Sequence, residues 1–220
     1  MTWRSYIFPQ TIARLHSRYN KDIRLIESQG ALELFVDGSR ESGSYMRKFW
    51  RRAFRDLRAK EVVPPYSILV LGVAGGTVIH LLRDAYPLAS IVGVDIDRTM
   101  LDVGRQYFGL SSLSGLRMVE ADAKVFLHSE AGKRRHYDMV IVDLFIGRII
   151  PSFVTESSFI DGLARVVFPH GTVIINYLRE GPYQQKSENL CKKLETLFSR
   201  VHSTAFSNNR FFLASEAKVE

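Results

Sequence analysis

The sequence predicts an α/β fold: a doubly wound, mostly parallel seven-stranded sheet, preceded by a short N-terminal β-hairpin and a basic helix. Three observations carry this expectation. From Ser67 onward, apolar runs of strand length alternate with amphipathic runs of helix length. The first of these strands ends in a glycine-rich turn, ILVLGVAGGT (68–77). The last two runs are joined by SNN, a hairpin signal. Strict alternation implies parallel neighbours joined by right-handed crossovers, with helices on both faces of the sheet.

Before that region, DIRLIE (22–27) and ALELFV (31–36) read as two strands joined by SQG, with a second turn, DGS, directly after. SYMRKFWRRAFRDLRAK (44–60) follows as an amphipathic helix. Its Tyr45, Phe49, Ala53 and Leu57 recur every fourth residue beside Trp50 and Phe54, with arginines outside. VVPPY (62–66) is a hinge, because two prolines stop the helix. The alternation then runs in order: strand SILVLG, helix TVIHLLRDAY, strand SIVGVD, helix RTMLDVGRQY, strand LRMVEAD, helix AKVFLHSE and strand YDMVIVD. After a loop come helix TESSFIDGLARVVF, strand GTVIINYL, helix QQKSENLCKKLETLF and the closing strands RVHSTAF and RFFLASE. The chain divides into a hairpin and basic helix at 1–62 and a ligand-binding domain at 63–220.

Composition bounds the class. With 46% apolar and 24% charged residues over 220 positions, the chain has the balance of a soluble globular protein. A lone cysteine, Cys191, excludes an internal disulfide and an all-cysteine metal site, and points to a cytoplasmic setting. The six histidines are scattered without ligand spacing, so no metal is expected. The start, MTWRSYIFPQ, lacks the apolar core of a signal peptide, and no membrane span is expected. The net charge of +7 falls entirely on residues 1–60, which hold 13 Lys and Arg against 6 Asp and Glu. That run is open to two readings, a solvated basic face or a polyanion contact along the arginine helix 44–60.

In such sheets ligands sit at the carboxyl ends of the strands, so the loop after Leu71 is the ligand loop. A phosphate cradle needs Lys and then Ser or Thr after its last glycine, but Thr77 and Val78 follow Gly76. A dinucleotide loop needs glycine at the places of Ala74 and Thr77. Gly72, Ala74 and Gly76 instead fit G-x-G-x-G with one alanine, the usual loop of S-adenosylmethionine enzymes, where small residues, Gly75 included, let the backbone approach the ligand. A glycine loop alone is also an ordinary strand-to-helix turn. The following strands each end in an acid. Asp95 stands where it can accept from ribose hydroxyls, Asp122 where it can accept from an adenine amino group, and Asp143 beside the sulfonium. Taken singly, each is equally a turn or helix-cap aspartate.

These segments resemble the spermidine synthase family, the polyamine aminopropyltransferases, whose fold is the class I methyltransferase-like Rossmann fold. The resemblance runs from Asp22 to Ser215. ILVLGVAGGT resembles the family's glycine loop, GVDID its ribose motif and EADAKVFL its adenine motif; Ile96 and Ala123 lie within the last two. YDMVIVD resembles the strand bearing the catalytic aspartate, and FVDGSRESGSY the end of the N-terminal β-domain. The resemblance implies Asp95 at the ribose, Asp122 at the adenine, Asp143 as base and Tyr45 as the active-site tyrosine. The ligand it implies is S-adenosylmethionine or decarboxylated S-adenosylmethionine.

The departures fall in the polyamine half. The family's loop acid is Ala74 here, and its second strand-end aspartate is replaced within Leu144, Phe145 and Ile146. The glutamine after the tyrosine is Met46, and the long loop before the last strand is reduced to SNN. A dication needs carboxylates to offset its desolvation, and this half reads as apolar around one carboxylate, Asp143. The expected activity is methyl transfer to an uncharged or apolar small-molecule acceptor. The alternatives are aminopropyl transfer and a non-catalytic adenosyl-ligand or polyanion-binding protein. The oligomeric state stays open, a homodimer included.

Overall fold

The computed structural model describes residue 6 and residues 8–58 and 63–218, with the backbone alone at 56–58. The side chain of Leu57 and the first residue of the expected hinge, Val62, lie outside what is described.

Seven strands form the main sheet: β5 (Ser67–Leu71), β6 (Ser90–Asp95), β7 (Leu116–Glu120), β8 (Tyr137–Val142), β9 (Val167–Leu178), β10 (Phe198–Phe206) and β11 (Asn209–Ala217). Their order is β10-β11-β9-β8-β5-β6-β7, with β11 antiparallel to both neighbours and the other pairs parallel. The chain runs outward through β5, β6 and β7, then returns to β8 on the other side of β5. The crevice at the carboxyl ends of β5 and β8 is therefore the topological switch point.

Helices α2 (Thr77–Ala85), α3 (Arg98–Tyr107), α4 (Ala123–Gly132), α5 (Ser157–Val166) and α6 (Gln184–Leu197) make the crossovers. The period-2 alternation of the strands splits the core in two. Leu69, Leu71, Val140 and Val142 face Leu127, Leu163 and Leu190. Ile68, Val70, Met139 and Ile141 face the side of α2 and of α1 (Ser44–Arg58). Phe49, Trp50, Ala53 and Phe54 of α1 are buried there, with Phe49 and Trp50 against Phe211 at ring-centroid distances of 4.8 and 4.9 Å. Tyr45, the first member of the expected stripe, is 44% exposed.

Two expectations are corrected. The N-terminal hairpin is the centre of a four-stranded antiparallel sheet, β1 (Gln10–Leu15), β2 (Ile23–Ser28), β3 (Ala31–Val36) and β4 (Ser39–Ser42), paired in that order. Strands β1 and β4 carry no apolar alternation: QTIARL is exposed or half-buried along its length, and SRES holds no apolar residue. The helix expected through Phe168 stops at Val166, and Val167 already pairs with Tyr137. Phe168 precedes Pro169, and a residue before proline is pushed out of the helical region into extended backbone.

The N-terminal sheet buries Ile23, Leu25, Leu34 and Val36 against Met100 and Val103 of α3. Its β1–β2 turn and its β3–β4 turn both reach the main domain, and the space between the two contacts is the cleft.

Candidate active site

The glycine loop is shaped by what lies beside it. Asp143 N donates to Leu71 O and Gly72 N to Val94 O, each at 2.8 Å, so the ends of β5, β6 and β8 are locked together. Gly72 sits at φ 94°, and a Cβ there would collide with the carbonyl oxygen of Asp143 and lie 2.8 Å from its carbonyl carbon. Only glycine allows that approach. Ala74 also takes a left-handed φ, 46°, which costs about 1–2 kcal/mol for a residue with a Cβ.

Asp95 offsets that strain. Its Oδ2 accepts from Val73 N (2.9 Å) and Ala74 N (3.2 Å), and its Oδ1 accepts from Asp97 N (2.9 Å). Burial pushes its pKa up from the ordinary carboxylate value, and the three N–H groups pull it back. Asp122 caps α4, its Oδ1 accepting from Lys124 N (2.8 Å) and Val125 N (3.0 Å). Asp97, which sequence reading passed over, caps α3 through Thr99 N (2.9 Å). It also accepts from Asn20 Nδ2 (2.7 Å) and Ser17 Oγ, holding the β1–β2 turn over the crevice. Its capping role was readable from Asp-Arg-Thr before an apolar run; its partners 77 and 80 residues away were not. At the other end Arg148 donates to Gly38 O (3.0 Å), tying the loop after β8 to the β3–β4 turn.

The cleft so closed encloses about 860 Å³, mouth included. Gly72, Ala74, Asp95, Ile96, Asp122, Ala123 and Asp143 all line it, joined by Tyr19, Asn20 and Glu41 from the N-terminal sheet. Gly75 and Gly76, expected to face the ligand, do not line it. Gly75 lies beneath β4, where a Cβ would come 2.8 Å from Ser42 Cβ. Gly76 is the left-handed N-cap of α2, packed on Leu110. Tyr45 lines a second, more open groove with Met46, Asn176 and Asn209. Glu41, Phe145 and Gly147 belong to the walls of both spaces.

Asp143 is held by a chain of amides: Asn176 Nδ2 donates to its Oδ1 (2.8 Å), and Asn209 Nδ2 donates to Asn176 Oδ1 (2.8 Å). The indole N–H of Trp50 approaches the same carboxyl and favours its charged form, short of full hydrogen-bond geometry. Burial outweighs these contacts and pushes the Asp143 pKa up to about 6.

Glu41 overturns the expectation of a single carboxylate in the acceptor half. Burial, the neighbouring Asp143 charge and a weaker opposing contact with Ser39 leave its pKa pushed up to about 7. The reading of the sequence missed it because Ser39-Arg40-Glu41-Ser42 looks like a polar turn. Its one signal was the alternation of a short strand, which sends Arg40 and Glu41 to opposite faces. Arg40 pairs with Glu33 at 3.5 Å and lies over the Phe35 ring.

Among the described residues no three His, Cys, Asp or Glu side chains are grouped to hold a metal ion. No helix among them is long and apolar enough to cross a membrane.

Residues 55–212 match the family model of the spermine/spermidine synthase domain. The chain belongs to that family. Relatives of this spermine/spermidine synthase family member carry two kinds of name. Over 122 residues it is 32% identical to the eEF1A lysine and N-terminal methyltransferase of Homo sapiens, covering 51% of this chain and 17% of that protein. Over 112 residues it is 27% identical to the polyamine aminopropyltransferase of Vibrio vulnificus, covering 51% and 38%. The chain thus spans well under half the length of these relatives. Among solved structures, a probable spermidine synthase from Corynebacterium glutamicum superposes with a TM-score of 0.77 at 18% identity, covering 94% of this chain and 81% of that one. Human methyltransferase-like protein 13, in complex with SAH, superposes at 0.66 with 24% identity over 80% and 84%. These likenesses support the class I methyltransferase-like fold read from the sequence.

Proposed function

We propose that the chain is a transferase that binds S-adenosylmethionine or a related adenosyl-sulfonium and passes the methyl group to an acceptor nucleophile. The observation that carries this reading is one cavity lined by the glycine loop and by the acids at the ends of β6, β7 and β8 in strand order. The names of the relatives, methyltransferase and aminopropyltransferase, agree with it, and two solved neighbours were crystallised with SAH and with AdoDATO.

The residues fit such a group. A carboxylate offers roughly four lone-pair sites; the loop and Asp97 take three from Asp95, which leaves one for a ribose hydroxyl. Asp122 uses Oδ1 for its cap, leaving Oδ2 to accept from an adenine amino group. Leu144, Phe145, Pro151 and Phe153 supply an apolar wall that keeps water from the sulfonium. When bound, the sulfonium supplies an activated carbon and a neutral thioether leaving group that keeps the sulfur electron pair. Asp143 takes the proton that an amine nucleophile must lose, and the Asn209–Asn176 chain holds its carboxyl in place. Tyr45 lines the outer groove, which supports a role toward the acceptor rather than the nucleoside.

Aminopropyl transfer is the second reading, and Glu41 is the observation in its favour, because it gives the acceptor half a second carboxylate. The test is calorimetry with S-adenosylmethionine, its decarboxylated form and methylthioadenosine side by side. Preference for S-adenosylmethionine supports methyl transfer, and preference for the decarboxylated form selects the second reading. Binding of none of the three overturns both.

A further inference from the structure

Two carboxyls face each other's charge in the cleft, Asp143 within it and Glu41 at its junction with the outer groove, and among the described residues neither has a counter-cation. Asp143 is held by an amide, and the Ser39 side chain approaches Glu41 short of full hydrogen-bond geometry. Among the described residues no Lys, Arg or His nitrogen lies within 4.0 Å of either. Other buried acids are better supplied: Glu130 meets Lys133, Arg135 and the Tyr137 hydroxyl, and Asp97 accepts from Asn20, Ser17 and the Thr99 backbone. Two desolvated acids side by side cost stability unless a cation comes between them.

Glu41 is fixed in that place by the seating of β4. Ser42 rests on Gly75 so closely that a Cβ there would collide with the Ser42 hydroxyl, so β4 lies directly on the glycine loop. Glu41, one residue earlier, lines the same cleft as Ala74. The loop has no acid of its own at Ala74, and the strand lying over it supplies one.

We propose that Glu41 is the anchor for a primary ammonium group in the cleft, delivered across the junction between the two sheets in place of an acid in the glycine loop. The proposal rests on the adenosyl-sulfonium reading. Two sources offer this chemistry: the amino group on the arm of the sulfonium ligand, and the amine of an acceptor reaching in from the outer groove. In either case the ion pair replaces the repulsion between Glu41 and Asp143 by attraction.

The test is Glu41→Gln, which keeps the size and the Ser39 contact and removes the charge. Binding is measured by calorimetry on the full chain with S-adenosylmethionine, decarboxylated S-adenosylmethionine and methylthioadenosine, which lacks the ammonium. A second arm, with methylthioadenosine bound, compares n-butylamine with 1-butanol. If the arm is the source, both sulfonium ligands weaken tenfold or more, while methylthioadenosine stays within twofold and so also reports an intact fold. If the acceptor is the source, n-butylamine binding is lost and the sulfonium ligands are unaffected. Ala74→Asp in the Glu41→Gln background, an aspartate being tolerated in the left-handed region, restores the arm's affinity in the first case. Unchanged binding in both arms overturns the proposal, as does an equal loss for methylthioadenosine. If the unaltered chain binds no nucleoside, it is the adenosyl-sulfonium reading itself that fails.

Discussion

The inner and outer halves of the cleft hold their acids in different ways. In the inner half, Asp95 and Asp122 accept from backbone N–H groups of the glycine loop and of a helix start, so their carboxylates are part of the frame. In the outer half, Asp143 and Glu41 meet side chains alone, and burial pushes them to about 6 and about 7. Burial raises Asp95 as well, but there three backbone donors fixed by the fold oppose it, whereas the outer acids have side-chain donors alone. The first arrangement suits holding a ligand in place, and the second suits exchanging a proton with it.

The sharpest way to separate the halves is Asp143→Asn. The amide keeps the Asn176 contact but cannot take a proton, so transfer to an amine should fall about 1,000-fold, with methylthioadenosine affinity within twofold. Conversion of the sulfonium to its thioether product, with cell extract as acceptor source, measures the first, and calorimetry the second. A loss of less than tenfold would remove Asp143 as the base.

The next effect is on stability. In the unfolded chain both outer acids release their protons near pH 4, while the folded protein holds them to about pH 6 for Asp143 and about pH 7 for Glu41. Between these limits the folded state binds more protons, so stability is greatest below pH 4 as far as these groups are concerned and is lost as pH rises through 7. Each group contributes on the order of 2–3 kcal/mol to that slope. Urea unfolding at pH 4.5 and 7.5 measures it, and the double substitution Glu41→Gln with Asp143→Asn should reduce it, Asp95 still contributing in the same direction; a slope left unchanged places its origin elsewhere.

The inner half should answer differently. Asp95→Asn removes one of the two accepting oxygens and leaves a backbone N–H of the loop or of Asp97 without a partner, at a cost of about 2 kcal/mol. Methylthioadenosine should bind about tenfold more weakly as the loop loosens. Retained affinity in a loosened loop would mean that Asp95 serves the frame and not the ligand.

Much of this was legible in the sequence. The main sheet announced itself because its inner strands β5, β6, β8 and β9 carry apolar residues on both faces and its helices on one, and those periods survive any tertiary arrangement. The acids at the strand ends were legible for the same reason, since strand ends in such a sheet converge. What failed to show was whatever depends on contact between the two sheets. Glu41 sits in a four-residue strand without apolar residues, and Trp50 looked like core, which it also is. Asn176 read as a single polar residue inside an apolar strand until Asp143 was found 2.8 Å away. Gly75 and Gly76 read as ligand contacts because a motif marks a loop without saying which of its faces is covered.

The N-terminal sheet lacks a core of its own: Ile23, Leu25, Leu34 and Val36 are covered by Met100 and Val103, far downstream in the chain. During synthesis this sheet leaves the ribosome before the helix that completes it. Its apolar face must therefore wait, exposed, until α3 has formed on the main sheet. The piece that roofs the cleft is thus made first and set last, and a nucleoside gripping both sides of the seam would act as mortar for that late joint.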